Sequence, residues 1–216
     1  MNIDFDKTFD FENNFYLTCS VNRISKIIAH YESLKMSIGI IGDIVECGLF
    51  KGTSFVNFAS FRNILAMHNK KMIGFDIFDK FPDATSVEDE LVRKSFINQA
   101  GETSITTEEL NRILVKKCIC NTELIKGNIL KTIPKYIKNN PSIKISLLNI
   151  DTDTYDSTKT ILMYMYPKIS KGGVLLLDDY NIHPGETKAV NEYFSNIDVE
   201  IKKFEFRDSP YYIIKK

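Results

Sequence analysis

The sequence is poor in the residues from which disulfide frameworks and zinc sites are built. Its 216 residues include four cysteines and three histidines, and only Cys118 and Cys120 stand close together, as a C-x-C pair without a histidine beside it. A structural zinc site usually takes two such clusters, and a disulfide scaffold takes more cysteines in a shorter chain. The cysteines are therefore expected to be free thiols in a reducing cytoplasm.

A basic surplus and a long apolar segment are missing as well. Twenty-eight Lys and Arg residues balance 28 Asp and Glu residues, whereas nucleic-acid-binding domains usually carry excess positive charge. No apolar run approaches the ~20 residues of a membrane-spanning helix, and the N-terminal segment MNIDFDKTFDFENN is acidic and polar, unlike a signal peptide. We therefore expect neither nucleic acid nor a membrane as a partner, while a homo-oligomer stays open.

What the sequence does contain is an alternation of apolar strands and amphipathic helices, in a chain of single-domain length. Residues 1–40 are interpreted as a helical lead-in, because apolar residues recur at helical spacing from Val21 to Met36. The middle strands are apolar on both faces, which predicts a mostly parallel sheet covered by helices on both sides. A C-terminal antiparallel hairpin is predicted over Glu200–Phe206 and Tyr211–Lys215. The fold class is thus α/β, with residues 1–216 forming one domain.

The ends of the predicted strands are the places where function is expected, because ligands of such sheets bind beyond the carboxyl ends of the strands. Strands are predicted at residues 43–48, 71–76, 124–127, 144–151 and 173–179. Helices are predicted after each of them, including one over Ser86–Asn98 and one that begins with a capping box at Thr106.

Two glycines follow the first strand, in the segment Glu46-Cys-Gly-Leu-Phe-Lys-Gly-Thr-Ser54. Such a turn lets the backbone approach a ligand closely, although a plain tight turn would look the same. Its G-x-x-x-G spacing is neither the G-x-G-x-x-G of a dinucleotide site nor a Walker loop. The carboxylate of Glu46 just before the turn suits a ligand with an ammonium group and repels a pyrophosphate.

Asp76 ends the second strand, where an acidic residue commonly accepts hydrogen bonds from ribose hydroxyls. A helix cap or a surface carboxylate is the alternative interpretation of this residue. A nucleoside without phosphates that carries an amino-acid end, such as S-adenosylmethionine, would satisfy both Glu46 and Asp76.

Three aspartates follow the two most apolar strands. Asp151 comes after the fourth strand, and Asp178 and Asp179 come directly after Val-Leu-Leu-Leu in the fifth. Adjacent strand ends lie roughly 5 Å apart, and carboxylates at that distance cannot all ionise unpaired. A divalent cation such as Mg²⁺, Mn²⁺ or Ca²⁺ would resolve the repulsion. Helix caps and solvated loop charges are the alternative.

Taken together, these motifs resemble the macrocin O-methyltransferase family, over about residues 41–194. The matching segments are Glu46-Cys-Gly-x-x-x-Gly, Asp151-Thr-Asp-x-Tyr-x-Ser-Thr158, Tyr166-Pro-Lys-x-x-x-Gly-Gly173, Asp178-Asp-Tyr180 and Gly185-x-x-Lys-Ala-Val-Asn-Glu192. The resemblance implies a Rossmann-like class I methyltransferase fold. It also implies S-adenosylmethionine as methyl donor, Mg²⁺ or Mn²⁺ as cofactor, and a sugar hydroxyl of a small molecule as acceptor.

Carried over residue by residue, the resemblance implies a metal site and a cofactor site. The metal ligands would be Asp151, Asp178 and Asp179, with Asp151 also the general base. Glu46 and Gly48 would contact the methionine part of the cofactor, with Thr53 and Ser54 beside it. Asp76 would bind the ribose, and Asn128 would lie near the adenine.

Two other functions stay open at this point. A catechol-type O-methyltransferase uses similar metal chelation, and a non-catalytic nucleotide-binding module could keep the fold. The three aspartates argue against such a module, which has no need of them. His183, after the metal motif, is either an exposed residue or a base or acceptor contact. His30, on a predicted helix, is expected to be structural or solvated.

Overall fold

A central sheet covered by helices forms the core of the computed structural model, which describes residues 3–81 and 87–216. The strands are β1 (Asp43–Cys47), β2 (Met72–Asp76), β3 (Thr122–Lys126), β4 (Ile145–Ile150), β5 (Ile169–Leu177), β6 (Lys202–Lys203) and β7 (Tyr211–Ile214). The helices are α1 (Thr8–Thr18), α2 (Val21–Met36), α3 (Thr53–Ile64), α4 (Val87–Ala100), α5 (Thr107–Lys116), α6 (Ile129–Asn139), α7 (Tyr155–Met165) and α8 (Pro184–Phe194). Short 3₁₀ helices lie at Phe5–Lys7 and Tyr166–Lys168.

The strand order is β3-β2-β1-β4-β5-β7-β6. Strands β1 to β5 run parallel, and β7 runs antiparallel to both β5 and β6. The prediction of a mostly parallel sheet with a C-terminal antiparallel hairpin is therefore confirmed. The first strand of that hairpin is shorter than predicted, because Phe204 leaves the ladder and packs on Tyr212 with ring centroids 4.9 Å apart.

Two apolar layers hold the helices on the sheet. On one face, α2, α3 and α5 bury Leu34, Phe55 and Leu110; on the other, α6, α7 and α8 bury residues that include Ile133 and Ile161. Every residue of β2 and β4 is buried, as expected for strands covered on both faces.

The ends of the helices agree with the sequence signals where they are described. Thr106 caps α5, since its hydroxyl accepts a hydrogen bond from the Glu109 amide at 3.1 Å. The predicted start of α4 at Ser86 lies outside the described residues. Within the two described ranges, none of the helices combines the length and the apolar character that a membrane crossing requires.

The order in which strands are added to the sheet reverses between β1 and β4. The chain goes from β1 outward through β2 to β3, and then returns to the other side of β1 to form β4 and β5. Such a switch leaves a crevice at the carboxyl ends of the two central strands. The segments that begin at Glu46, Asp151 and Asp178 all lie at this edge of the sheet.

Candidate active site

Three carboxylates from the ends of β4 and β5 lie together in this crevice. Ile150 and Leu177 are paired in register, and the Asp178 amide donates to the Ile150 carbonyl oxygen at 3.0 Å. One oxygen each of Asp151, Asp178 and Asp179 lies within 4.8 Å of the others. The Asp178 side chain is 3% exposed, against 24% for Asp151 and 15% for Asp179. The structure thus brings the predicted ligand set together, with Asp151 as its most accessible member.

The cluster holds more negative charge than its surroundings balance. Burial and the neighbouring Asp178 raise the pKa of Asp179 to about 9, and the same causes hold the pKa of Asp151 well above its usual range. Burial also raises the pKa of Asp153, close by, to about 6. Carboxylates that share a site do not all ionise unless a cation joins them. The arrangement therefore favours a divalent cation with oxygen ligands.

Helix α2 adds a cation to this cluster, which the sequence analysis did not foresee. The Lys26 ammonium group donates to Oδ2 of Asp178 and lies 3.6 Å from Oδ2 of Asp151. Burial opposes the charge on Lys26, but the two aspartates outweigh it and hold its pKa above the ordinary value. Burial likewise opposes ionisation of Asp178, yet Lys26 holds the pKa of that carboxyl below its usual range. Lys26 and Asp178 therefore form an ion pair inside the site.

His30, one helical turn after Lys26, faces the other oxygen of Asp178. Its Nε2 lies 3.4 Å from Oδ1, and its ring stacks on Phe58 with centroids 4.7 Å apart. Burial lowers the pKa of His30, which keeps the imidazole neutral. The prediction of a structural or solvated residue thus missed the contact with Asp178. The available signal was the spacing of four residues, which puts Lys26 and His30 on the same face of α2.

A second group of side chains shares Asp179 with the first. Nε2 of His183 lies 3.7 Å from Oδ1 of Asp153 and 3.7 Å from Oδ1 of Asp179. Glu186, fully buried on α8, accepts a hydrogen bond from the Asp179 amide at 3.2 Å. His183 is therefore within reach of the cluster, and its role as a base or an acceptor contact stays a prediction.

The turn after β1 is packed against the end of β4. Gly48 has a φ of +88°, and a Cβ atom on it would lie 1.8 Å from the carbonyl oxygen of Asp151. Gly52, with a φ of +76°, ends the turn and precedes α3. Only glycine permits both the backbone conformation and the close approach at Gly48. The glycine turn and the carboxylate cluster are consequently direct neighbours.

Glu46 is a buried carboxyl group with one unpaired oxygen. Its Oε1 accepts a hydrogen bond from Nδ2 of Asn149 at 3.2 Å, whereas its Oε2 has no partner among the described residues. Burial raises the pKa of Glu46 to about 8, and Ser54 and Asn149 offset only part of that effect. An unpaired buried acceptor is costly, so this carboxyl is well suited to an ammonium group of a ligand.

The carboxylate of Asp76 is turned toward the protein backbone. Its Oδ2 accepts hydrogen bonds from the amides of Leu49 at 2.7 Å and Phe50 at 3.0 Å, and its Oδ1 accepts one from Phe78 at 2.8 Å. Asp76 thus holds the glycine turn in place. A ribose would have to share oxygens that already accept hydrogen bonds, and the ribose role stays a prediction.

The remaining cofactor residues of the sequence analysis lie at helix starts. Thr53 and Ser54 begin α3, with Thr53 exposed and Ser54 half-buried. Asn128 caps α6, since its Oδ1 accepts a hydrogen bond from the Leu130 amide at 2.9 Å. These positions border the same edge of the sheet, and their contacts with a cofactor stay predictions.

Residues 14–206 match the family described as Macrocin-O-methyltransferase (TylF). The chain belongs to this family. The resemblance read from the strand-end motifs is thereby confirmed, and so is the O-methyltransferase class of the enzyme. The match begins before α2, so the helix that carries Lys26 and His30 is part of the family region.

Two curated relatives are each about one quarter identical to this chain. Demethyldecarbamoylnovobiocin O-methyltransferase from Streptomyces niveus is 25% identical over 200 residues, which are 88% of this chain and 72% of the relative. Mycinamicin III 3''-O-methyltransferase from Micromonospora griseorubida is 26% identical over 160 residues, which are 72% of this chain and 61% of the relative. The chain therefore spans less than two thirds of the mycinamicin enzyme.

Among solved structures, the calicheamicin methyltransferase CalS11 is similar over almost the whole chain. The TM-score is 0.81 at 21% sequence identity, and the match covers 99% of this chain and 86% of CalS11. This likeness confirms the prediction of a Rossmann-like class I methyltransferase fold.

Proposed function

We propose that this chain transfers the methyl group of S-adenosylmethionine to a sugar hydroxyl, with the help of a divalent cation. The observation that carries the proposal is the contact of Gly48 with the backbone of Asp151, which makes the glycine turn and the carboxylate cluster neighbours. A methyl donor bound at the glycine turn and an acceptor hydroxyl bound at the carboxylate cluster would lie side by side, as a displacement reaction requires.

The cofactor side of the site is supported by the unpaired oxygen of Glu46. The ammonium group of the methionine part would pair with this carboxylate, and Gly48 leaves room for its backbone. Thr53 and Ser54 would lie beside the methionine part, Asp76 at the ribose and Asn128 near the adenine. These assignments follow the family resemblance.

The metal side is supported by the chemistry of its donors. Asp151, Asp178 and Asp179 offer hard oxygen ligands close together. Burial and Asp178 raise the pKa of Asp179 to about 9, so a further cation is needed for all three to ionise at neutral pH. Mg²⁺ or Mn²⁺ fits such a set. When bound, the cation would lower the pKa of the acceptor hydroxyl and orient it.

Asp151 is the best-placed general base among the three. It is the most exposed of them, whereas both oxygens of Asp178 are occupied by Lys26 and His30. In the reaction, an oxygen of the Asp151 carboxylate would accept the proton that the hydroxyl loses.

A sugar acceptor is supported by the names of the relatives. One acts on the 3'' position of mycinamicin III, and CalS11 is named a TDP-rhamnose 3'-O-methyltransferase. The decisive experiment offers methyl-labelled S-adenosylmethionine and a panel of nucleotide sugars, glycosides and catechols to the pure protein. Labelled sugar formed with Mg²⁺ would support the proposal. Labelled catechol alone, or no transfer to any acceptor, would contradict it.

The affinity for S-adenosylhomocysteine should rise with pH by up to about tenfold per unit between about pH 6 and 7.5. Glu46 has a pKa of about 8 without ligand, so it is protonated in this range and must release its proton to pair with an ammonium group. In Glu46→Gln the affinity should be weaker and independent of pH. Calorimetry in buffers of different ionisation enthalpy measures the released proton. Equal pH profiles for the two proteins would remove Glu46 from the cofactor site.

A further inference from the structure

We propose that Lys26 is a built-in counter-ion of the carboxylate cluster, and that a divalent cation must displace its ammonium group to bind Asp151 and Asp178 together. The inference rests on the metal role proposed above and concerns how that site is loaded. It makes α2, near the N-terminus, the element that competes with the metal.

The ammonium group lies between two of the carboxylates that would share a metal ion. Nζ of Lys26 contacts Oδ2 of Asp178 and stands 3.6 Å from Oδ2 of Asp151, so it lies between the two carboxylates. Mg²⁺ binds carboxylate oxygens at about 2.1 Å, so an ion shared by these two oxygens would be a near neighbour of Nζ. Two cations so close together in a partly buried site repel each other strongly. Binding of the metal ion therefore favours departure of the ammonium group.

Lys26 compensates the cluster only in part. Lys26 brings one positive charge to three carboxyl groups, so full ionisation of all three would leave a formal charge of −2, which a divalent cation balances. The neutral ring of His30 contacts Oδ1 of Asp178 but adds no charge. Without metal, Lys26 stabilises the assembled ligands against their repulsion; with metal, it is no longer needed between them.

The lysine side chain can leave while its helix stays. Ser33 and Leu34 of α2 are fully buried, and Arg207 donates hydrogen bonds to the Asn22 carbonyl and, at 2.8 Å, to Oγ of Ser25. Lys26 itself is 21% exposed and carries its charge on a flexible four-carbon chain. Its ammonium group can therefore move into solvent without a shift of the backbone.

The first test measures the accessibility of the Lys26 amine in the full-length protein. Amine acylation is followed by mass spectrometry without metal and with saturating Mg²⁺. An ammonium group held between carboxylates reacts slowly, so release should raise the labelling rate of Lys26 at least about fivefold. Lys35 on the same helix, 51% exposed and paired with Glu32, is the internal reference and should not change. An unchanged rate at Lys26 would overturn the inference.

The second test compares Mn²⁺ affinities by calorimetry. Lys26→Met keeps an unbranched side chain of similar length without the charge and should bind Mn²⁺ about tenfold more tightly, because no ammonium group has to be displaced. Lys26→Arg, which keeps the charge, and Lys35→Met should stay close to the wild type. Lys26→Met should also melt at a lower temperature than the wild type without metal. Saturating Mn²⁺ should remove this difference in melting temperature.

The outcomes separate this inference from the proposed function. Equal Mn²⁺ affinities for the wild type and Lys26→Met would overturn the counter-ion role of Lys26 but not the metal site. If neither protein binds Mn²⁺, both the counter-ion role and the proposed metal site are overturned. If Lys26→Met does not fold, the labelling of the wild type decides alone.

Discussion

Asp179→Ala should lower the rate of methyl transfer by about 10³-fold or more, which corresponds to about 4 kcal/mol of transition-state stabilisation. Excess chelator should lower the rate of the wild type to the same extent, and added Mg²⁺ or Mn²⁺ should restore the activity. Binding of S-adenosylhomocysteine should stay within about twofold, because Asp179 lies on the metal side of the crevice. Initial rates with labelled cofactor, together with calorimetry, measure both quantities.

Asp179 is a cleaner target than Asp178. Loss of the buried Asp178 carboxylate would remove the contacts with both Lys26 and His30, and it would therefore disturb how α2 packs on the sheet. Removal of Asp179 instead relieves the cost of burying an acidic group beside other acids, since burial, Asp178 and Asp153 together raise its pKa to about 9. Its loss should therefore increase the free energy of unfolding at neutral pH. Asp198→Ala, at a 92% exposed position, is the matched control. Full activity of Asp179→Ala in excess chelator would rule out the metal role.

Gly48→Ala should destabilise the fold by about 4 kcal/mol or more and abolish cofactor binding. The added Cβ would lie 1.8 Å from the Asp151 carbonyl oxygen, so the turn or the end of β4 has to move. The positive φ of +88° adds a penalty of about 1–2 kcal/mol for any residue other than glycine.

Gly39→Ala separates these two effects. Gly39 has a φ of +78°, yet nothing lies within 4 Å of the place where its Cβ would be. It should therefore show only the conformational penalty of about 1–2 kcal/mol. Denaturant titration gives both unfolding free energies. Similar values for the two variants would mean that the contact between turn and cluster does not constrain the fold.

The positions of Glu46, Asp151 and Asp178 were predictable because they depend on topology. Once the strands are parallel, every residue that follows a strand lies at the same edge of the sheet, whatever the details of packing. Apolar runs that end abruptly in a carboxylate mark those residues in the sequence. The convergence of the three aspartates therefore needed no knowledge of side-chain conformation.

Lys26 and His30 were not predictable in the same way. Their contacts with Asp178 depend on how far α2 reaches along the sheet, which is decided by the packing of its apolar face. Asp76 shows a similar limit, because its position at a strand end suggests a ribose, whereas the direction of the amides of Leu49 and Phe50 decides what it binds. Both cases concern contacts between elements rather than the elements themselves.

The strand order also determines when the site forms during synthesis. Glu46 on β1 is hydrogen-bonded to Asn149 on β4, 103 residues later. While the chain leaves the ribosome, β1, β2 and β3 can pair with one another, but the other edge of β1 stays open until β4 emerges. An open apolar edge is a template for aggregation. Asp151 follows the strand that closes this edge, whereas Asp178 and Asp179 follow β5, so the carboxylate cluster assembles only after β5 has emerged and paired with β4.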